Sequence, residues 1–228
     1  MTALLCLTKD PFLSWKRTER LLAGAAAHSL EIVVGLDETG TDPESDAERL
    51  VRLGANLVRF AGHGYCESAL PEALDMVRDP WTLWASDDEL PSEHLWTFRP
   101  PVERAFRISL VTLLPTGAHY GTNYQIRLFP TRSMHLTADH FEADLAWDVP
   151  VFGLPDLVLW HYYAFADRAS REAKVRDYLR MEAPRGLPGY PDLVRTLYLW
   201  EDHPELRTPL APELSAQLPQ ESVPKEAP

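Results

Sequence analysis

The chain has 228 residues, 45% of them hydrophobic and 25% charged, which is typical of a soluble globular protein. With 34 acidic against 22 basic side chains, its formal net charge of −12 disfavours broad binding to nucleic acid, although a local basic groove is compatible with it. The two cysteines, Cys6 and Cys66, are far apart and predict reduced thiols in the cytoplasm. No apolar run predicts a signal peptide or a membrane span.

The first ninety residues alternate between short apolar runs and amphipathic segments. Buried strands are predicted at residues 3–8, 31–37, 56–61 and 81–86, with helices at 12–27, 41–54 and 68–78 between them. This alternation predicts an α/β fold with a Rossmann-type, mostly parallel sheet flanked by helices. Ligands of such open sheets bind beyond the carboxyl ends of the strands.

The second half predicts a smaller antiparallel part. Strands at 107–115 and 123–130 are expected to pair around a loop at 116–122, followed by a strand at 156–165 and helices at 167–182 and 191–201. From residue 203 the sequence is rich in Pro, Glu and Ser and lacks periodicity, which predicts a flexible tail. We therefore expect one domain over residues 1–202 and a tail over 203–228.

Polar side chains follow three of the four early strands, and parallel topology places them at one edge of the sheet. They are Thr8, Lys9 and Asp10, then Asp37 and Glu38, then Ser86, Asp87, Asp88 and Glu89. The last group suits a divalent cation that carries a phosphate ester, but it is also compatible with a solvated turn whose acids favour the dipole of the next helix. Asp37 is suited to bind a base or ribose, or to form a turn.

Two further candidates lie in the second half. Residues 135–148 supply His135, Asp139, His140, Glu142 and Asp144, so a carboxylate there can act as a general base, or the segment is an acidic surface loop. His161 lies in an apolar aromatic strand, which is typical of a core histidine unless the fold returns it to the acidic edge. No phosphate-binding glycine loop, nucleophile elbow or structural zinc spacing occurs in the sequence.

Several segments occur in the order and at the intervals of a known family. They are "TKDP" at 8–11, "EIVVGLDETGTD" at 31–42, "WTLWASDDEL" at 81–90, "IRLFP" at 126–130 and "HYYAFADRASREAKVRDYL" at 161–179. Together they resemble the family 2 glycosyltransferases with the GT-A fold, and most closely the short bacterial or phage-type members. The resemblance covers roughly residues 3–180 and is most specific in the first ninety.

The resemblance implies transfer of a sugar from a nucleotide-sugar donor, with UDP-sugar favoured, to an acceptor hydroxyl with inversion. It implies that the donor is bound by Thr8, Lys9, Asp37, Glu38, Asp87 and Arg127. A divalent cation, Mn²⁺ or Mg²⁺, would be held by Asp88, His161 and His140, and the catalytic base would be one of Asp144, Glu142 and Asp139. Three features depart from the family pattern: Leu70 and Pro71 stand where the family often has Arg-Asn, Ser86 replaces the first acid of the D-x-D motif, and Phe141 follows His140 in place of a glutamate.

Two other functions are compatible with the same residues. A nucleotidyltransferase on a related sheet would use the same metal-binding acids but take a nucleoside triphosphate and release pyrophosphate. A catalytically inactive binding protein would keep the fold without turnover, and the departures at Ser86 and Phe141 favour it. The aromatic residues Trp84, Tyr120 and Trp160 are suited to a sugar platform or to the core.

Overall fold

The computed structural model describes residues 1–13, 16–62, 69–100, 103–136, 145–182 and 189–219. The first half contains β1 (Thr2–Thr8), α1 (Thr18–Ala27), β2 (Glu31–Asp37), α2 (Pro43–Arg52), β3 (Asn56–Phe60), α3 (Leu70–Met76), β4 (Trp81–Ser86), β5 (Glu89–Pro91) and α4 (Glu93–Thr97). The second half contains β6 (Ala105–Leu113), β7 (Ala118–Pro130), β8 (Met134–Leu136), β9 (Leu145–Trp147), β10 (Val151–His161), α5 (Arg168–Glu182), α6 (Tyr190–Tyr198), β11 (Arg207–Pro209) and α7 (Pro212–Ser215). None of the helices in these ranges is long and apolar enough to cross a membrane.

The main sheet has the order β3-β2-β1-β4-β7-β6-β10-β5, and β11 pairs with β7. The first four strands of this order are mutually parallel, β4 pairs with β7 and β7 with β6 in antiparallel fashion, and β10 runs parallel to β6. Strands β8 and β9 form a separate antiparallel hairpin. The predicted mixed α/β fold, with its antiparallel part in the second half, is confirmed, and the arrangement is consistent with a GT-A-like fold.

Alternation of side chains along β1 divides the core between the two faces of the sheet. Leu4 and Cys6 pack with α1 and α2, whereas Leu5 and Leu7 pack with α3 on the opposite face. All seven residues of β1 are buried, as expected for a central parallel strand covered on both faces. The register pairs Thr8 with Leu36 of β2 and Leu7 with Ser86 of β4, so these three strands end at the same edge.

Three predicted boundaries in the chain are wrong. The strand predicted at 156–165 is β10 at Val151–His161, and residues Tyr163–Phe165 form a 3₁₀ turn after it. Helix α1 starts at Thr18 and not at residue 12, because Lys16 and Arg17 instead bond Asp87 at the sheet edge. Much of the predicted loop at 116–122 is strand, since β7 starts at Ala118. A tight turn replaces the loop: Leu114 N donates to Ala118 O at 2.9 Å, and Gly117 adopts a φ of +79° that glycine tolerates without strain.

Residues 203–219 are folded, in contrast to the tail predicted from residue 203. Arg207–Pro209 forms β11 against β7, and three leucines beyond it, Leu210, Leu214 and Leu218, pack against the core. Trp160 Nε1 donates to Gln217 O at 3.1 Å. The sequence did not predict these contacts, because the three leucines are isolated among proline and glutamate residues and form no periodic pattern.

Ending the chain at Asp202 is therefore expected to destabilise the fold. Loss of the three packed leucines and of β11 should lower the free energy of unfolding by about 3 kcal/mol or more, since full burial of a leucine contributes about 1.5–3 kcal/mol and these three are partly buried. Urea unfolding of this variant should be compared with a control that ends at Pro219 and keeps the contacts described above. Equal midpoints for the two chains would show that residues 203–219 do not stabilise the domain.

Candidate functional site

The acidic run lies at the carboxyl edge of the parallel strands, where Asp87 and Asp88 form the turn between β4 and β5 and Glu89 begins β5. The exposed fractions of the three residues are 5%, 5% and 2%. The solvated-turn interpretation of this run is therefore wrong. Three neighbouring buried carboxylates repel one another and lose hydration, so each needs its own compensating partner.

Asp87 is paired with Lys16, whose Nζ lies 2.6 Å from Asp87 Oδ2. The Thr8 hydroxyl donates to the same carboxylate oxygen, and Arg17 N donates to Asp87 O at 2.8 Å. Burial raises the pKa of Asp87, although Lys16 and the Thr8 hydroxyl oppose that shift. These bonds fix Asp87 against the connection between β1 and α1.

Asp88 faces a different partner, because His161 at the end of β10 places Nε2 at 3.4 Å from Asp88 Oδ2. The other ring nitrogen of His161, Nδ1, is 3.0 Å from Thr112 Oγ1 on β6, and this contact orients the imidazole. Burial alone would raise the pKa of Asp88, but the charge and hydrogen bond of His161 outweigh it, and the pKa lies well below its ordinary value. The fold thus returns His161 to the acidic edge, the condition under which it becomes a candidate ligand.

Glu89 turns inward to Arg127 of β7, with Arg127 Nη2 at 3.1 Å from Glu89 Oε1. The other carboxylate oxygen of Glu89 accepts a hydrogen bond from Ser86 N at 2.7 Å. The Arg127 guanidinium also bonds Gln125 and lies 4.4 Å above the Trp84 ring. Glu89 and Arg127 therefore hold the turn that presents Asp87 and Asp88, and Arg127 contacts this support instead of lining the open edge.

Asp37 ends β2 at the same edge and is buried, with 5% of its surface exposed. Its Oδ1 accepts hydrogen bonds from Thr39 N at 2.9 Å and Gly62 N at 3.0 Å. A Cβ at position 62 would overlap the Asp37 carboxylate, so glycine is required there. The Asp37 carboxylate therefore accepts hydrogen bonds within a turn. It also lies at the carboxyl edge of the sheet, where a ligand would bind.

The two predicted donor-binding residues that flank these acids are less enclosed. Lys9 is exposed beside the end of β1, and Glu38 forms an ion pair with Arg59 Nη1 at 3.3 Å. Thr8, Asp37 and Asp87 are therefore buried at the edge of the sheet, whereas Lys9 and Glu38 are exposed beside it. All five come from the ends of β1, β2 and β4.

The donor set at Asp88 and His161 fits a divalent cation in its chemistry. One carboxylate oxygen and one imidazole nitrogen face each other, and they would supply two ligands to an ion of the Mn²⁺ or Mg²⁺ type, whose other ligands would be water and substrate phosphate. Within the described ranges, no group of three or more His, Cys, Asp or Glu side chains is arranged to hold a metal ion. The third predicted ligand, His140, lies outside the described residues.

The predicted catalytic residues Asp139, Glu142 and Asp144 also lie outside the described residues. The hairpin that flanks their segment, β8 with β9, is described, and beside it His135 Nε2 pairs with Asp148 Oδ2 at 2.5 Å. Of the aromatic residues considered for a sugar platform, Trp84 and Trp160 are buried in the core. The side chain of Tyr120 is outside the described part of the structure.

Two site residues were missed in the sequence. Lys16 was assigned to a helix, and Thr112 was one of several polar positions in an apolar strand. The only signal for Lys16 was that it is one of four lysines in the chain, and Thr112 gave no signal because its partner His161 is 49 residues away. Both positions depend on contacts between strands and loops that are distant in sequence.

Comparisons with known proteins identify no family for this chain. No protein-family model matches it, and no curated protein matches it. Among solved structures, it is similar to HddC from Yersinia pseudotuberculosis, with 8% identity, a TM-score of 0.47 and coverage of 71% of this chain and 93% of that one. It is similar to S. aureus TarS, with 11% identity, a TM-score of 0.46 and coverage of 78% of this chain and 39% of that one.

A third solved structure, the glycosyltransferase GlyE in Streptococcus pneumoniae TIGR4, shows 13% identity and a TM-score of 0.32 over 87% of this chain and 44% of that one. The chain thus spans less than half the length of TarS and of GlyE. At these identities and scores the similarities carry no argument about function. The function must be inferred from the site and from the sequence motifs.

Proposed function

We propose that the chain is a metal-dependent glycosyltransferase that moves a sugar from a nucleotide-sugar donor to an acceptor hydroxyl. The observation that carries the proposal is the pairing of Asp88 with His161 at the carboxyl edge of the sheet, 3.4 Å apart and beside Asp37 and Asp87. A buried acid from β4 and a histidine from β10 meet at the edge where open α/β sheets bind ligands. The same positions carry the sequence resemblance to family 2 glycosyltransferases.

In this proposal each described residue has a distinct task. Asp37, held by two backbone N–H groups, binds the nucleoside, with Thr8, Lys9 and Glu38 around it. Asp87 is oriented by Lys16 and borders the donor. The ion pair of Glu89 with Arg127 holds the turn that carries Asp87 and Asp88 in place. Arg127 therefore supports donor binding by positioning these two acids.

Asp88 and His161, together with His140, would hold Mn²⁺ or Mg²⁺. The ion supplies charge that stabilises the diphosphate leaving group as the bond to the sugar breaks. A carboxylate among Asp139, Glu142 and Asp144 takes the proton of the acceptor hydroxyl, whose oxygen forms the new bond to the anomeric carbon. Attack on the face opposite the diphosphate gives inversion, and UDP is the favoured nucleotide.

The direct test is thermal unfolding of the purified chain with UDP, GDP, dTDP and CDP, each with and without Mn²⁺, followed by turnover assays with the matching sugar donor. A ligand that binds only the folded state raises its stability with concentration. A shift from one nucleotide that requires Mn²⁺, together with sugar release or transfer, supports the proposal. Binding without turnover would favour an inactive binding protein, and release of pyrophosphate from a nucleoside triphosphate would favour a nucleotidyltransferase.

A glycine substitution tests the place of Asp37. In Gly62→Ala the added Cβ overlaps the Asp37 carboxylate, so the carboxylate must move and nucleotide affinity should fall at least about tenfold, or roughly 1.4 kcal/mol. The matched control is Gly153→Ala on β10, where an added Cβ meets no atom within 4 Å. Calorimetric titration with the nucleotide found above measures the loss, and wild-type affinity in Gly62→Ala would remove Asp37 from the binding site.

A further inference from the structure

Lys174 on α5 lies among three tyrosine rings beside the proposed site. Its Nζ is 4.6 Å from the ring centroid of Tyr163, 5.7 Å from that of Tyr178 and 5.8 Å from that of Tyr198. Tyr198 contacts both other rings, with centroids 4.4 Å from Tyr163 and 5.6 Å from Tyr178. The three rings therefore form one aromatic cluster that holds the ammonium in place through cation–π contacts.

Among the residues that the structure describes, no hydrogen-bond acceptor or carboxylate lies within bonding distance of the Lys174 ammonium. The Lys174 side chain is partly buried, and its ammonium group contacts the faces of the three tyrosine rings. An ammonium group has three N–H donors, and burying it without acceptors costs free energy. Other cations of the site have acceptors, as Lys16 has Asp87 and Arg127 has Glu89. Lys174 is thus a positioned cation whose donors are available to an anion.

The cluster is connected to the acidic edge through His161. The Tyr163 ring stacks on the His161 imidazole with centroids 6.0 Å apart and an angle of 17°, and His161 Nε2 faces Asp88. The short chain between His161 and α5 passes through the 3₁₀ turn Tyr163–Phe165, which fixes Lys174 near the end of β10. The charge of Lys174 also contributes, after burial and His161, to the pKa of Asp88, so the two groups are electrostatically coupled.

We propose that Lys174 binds the diphosphate of the nucleotide donor, as a second cation beside the ion at Asp88 and His161. This inference rests on the proposed function. One divalent cation balances the diphosphate diester of the bound donor, but the released nucleoside diphosphate carries more negative charge than that cation neutralises, and the buried acids Asp37 and Asp88 repel the excess. The ammonium compensates for this repulsion. Its contribution increases during the reaction, because the leaving diphosphate gains charge as its bond to the sugar breaks.

Charge removal at position 174 tests the subsite. The variants are Lys174→Met and Lys174→Gln, which remove the charge, Lys174→Arg, which keeps it, and Arg176→Met, a control that removes one exposed positive charge from the same helix. Each folded variant is titrated calorimetrically with UDP, uridine and inorganic pyrophosphate in Mn²⁺ buffer. We expect affinity for UDP and pyrophosphate to fall at least tenfold without the charge, while uridine binding is unchanged and Lys174→Arg keeps most of the affinity.

The pH dependence gives a second readout. Burial would lower the pKa of Lys174, but Tyr178, Tyr198 and Asp88 outweigh it, and the pKa lies well above its ordinary value. The titratable groups that act on the ammonium are the three tyrosines and Asp88 in the turn after β4, with Lys16 as a neighbouring cation, so UDP affinity should not decline between pH 7 and 9 through loss of this charge. A decline over this range that disappears in Lys174→Met would contradict the raised pKa but would still assign the charge to UDP binding. Equal UDP affinities of the wild-type protein and Lys174→Met at every pH would contradict the subsite.

The outcomes separate this inference from the proposed function. If wild-type protein transfers sugar but the charge-removing variants bind UDP equally well, the subsite is wrong and the glycosyltransferase stands. If pyrophosphate binding depends on Lys174 but no nucleotide sugar is consumed, the subsite stands and the proposed function fails. If wild-type protein binds neither pyrophosphate nor any of UDP, GDP, dTDP and CDP, both are overturned.

Discussion

Asp88→Asn is expected to abolish Mn²⁺-dependent nucleotide binding while the fold stays intact. The substitution removes the carboxylate charge that lies 3.4 Å from His161 Nε2 and that would bind the metal ion. Loss of a residue that merely orients a ligand costs about 10–100-fold in metal affinity, so loss of the ligand itself should cost at least about 100-fold. Calorimetric titration of UDP with and without Mn²⁺ measures the effect.

The matched control for this variant is Asp156→Asn on β10, which removes the same charge from an exposed position. Its metal-dependent affinity should equal that of the wild-type protein. Circular dichroism and thermal unfolding check that Asp88→Asn is folded. Normal turnover in a folded Asp88→Asn protein would show that the ion is not held there, and the proposed mechanism would be wrong.

Arg127→Met is expected to give the largest loss of stability among the site variants. Glu89 and Arg127 are a buried pair with 2% and 8% of their side-chain surfaces exposed. Removing one partner of such a pair leaves an uncompensated buried charge, which destabilises a fold by about 3–5 kcal/mol. The exposed pair Arg132–Asp75 provides the control, because Arg132→Met should change the free energy of unfolding by about 1 kcal/mol or less.

The loss in Arg127→Met should depend on pH. Burial raises the pKa of Glu89 and Arg127 lowers it, so the variant has a still higher pKa at Glu89 in the folded state. An acid with a raised folded pKa binds its proton more tightly when folded, and stability therefore falls as pH rises above the ordinary value of 4.5. Urea unfolding at pH 5 and pH 7.5 should show a smaller deficit at pH 5.

A double variant isolates the uncompensated charge as the cause. Arg127→Met combined with Glu89→Gln removes both charges and should recover much of the stability lost in Arg127→Met, and it should remove the pH dependence. A double variant as unstable as Arg127→Met would indicate that packing of the guanidinium on Trp84 is responsible.

The sequence predicted the strands of the first half because their signals are local. Apolar runs and helix caps depend on neighbouring residues, as in α2, where Asp42 caps the helix by accepting from Ser45 N at 3.3 Å and Pro43 begins it. The acids after β4 were recognised for the same reason. Residues 203–219 and the loop at 116–122 were misjudged because their structure depends on β7 and on distant apolar contacts.

By itself, then, the sequence determined the α/β alternation, the ends of β1, β2 and β4, and the presence of acids at one edge. These features follow from periodicity and from parallel strand topology, which need no knowledge of distant contacts. Only the tertiary structure decided the partner of each acid: Lys16 for Asp87, His161 for Asp88 and Arg127 for Glu89. Along the chain, Lys16 is 71 residues from Asp87, His161 is 73 residues from Asp88 and Arg127 is 38 residues from Glu89. No local sequence pattern specifies such a pairing. Charge compensation in a buried turn is set by which strands and loops the fold brings together.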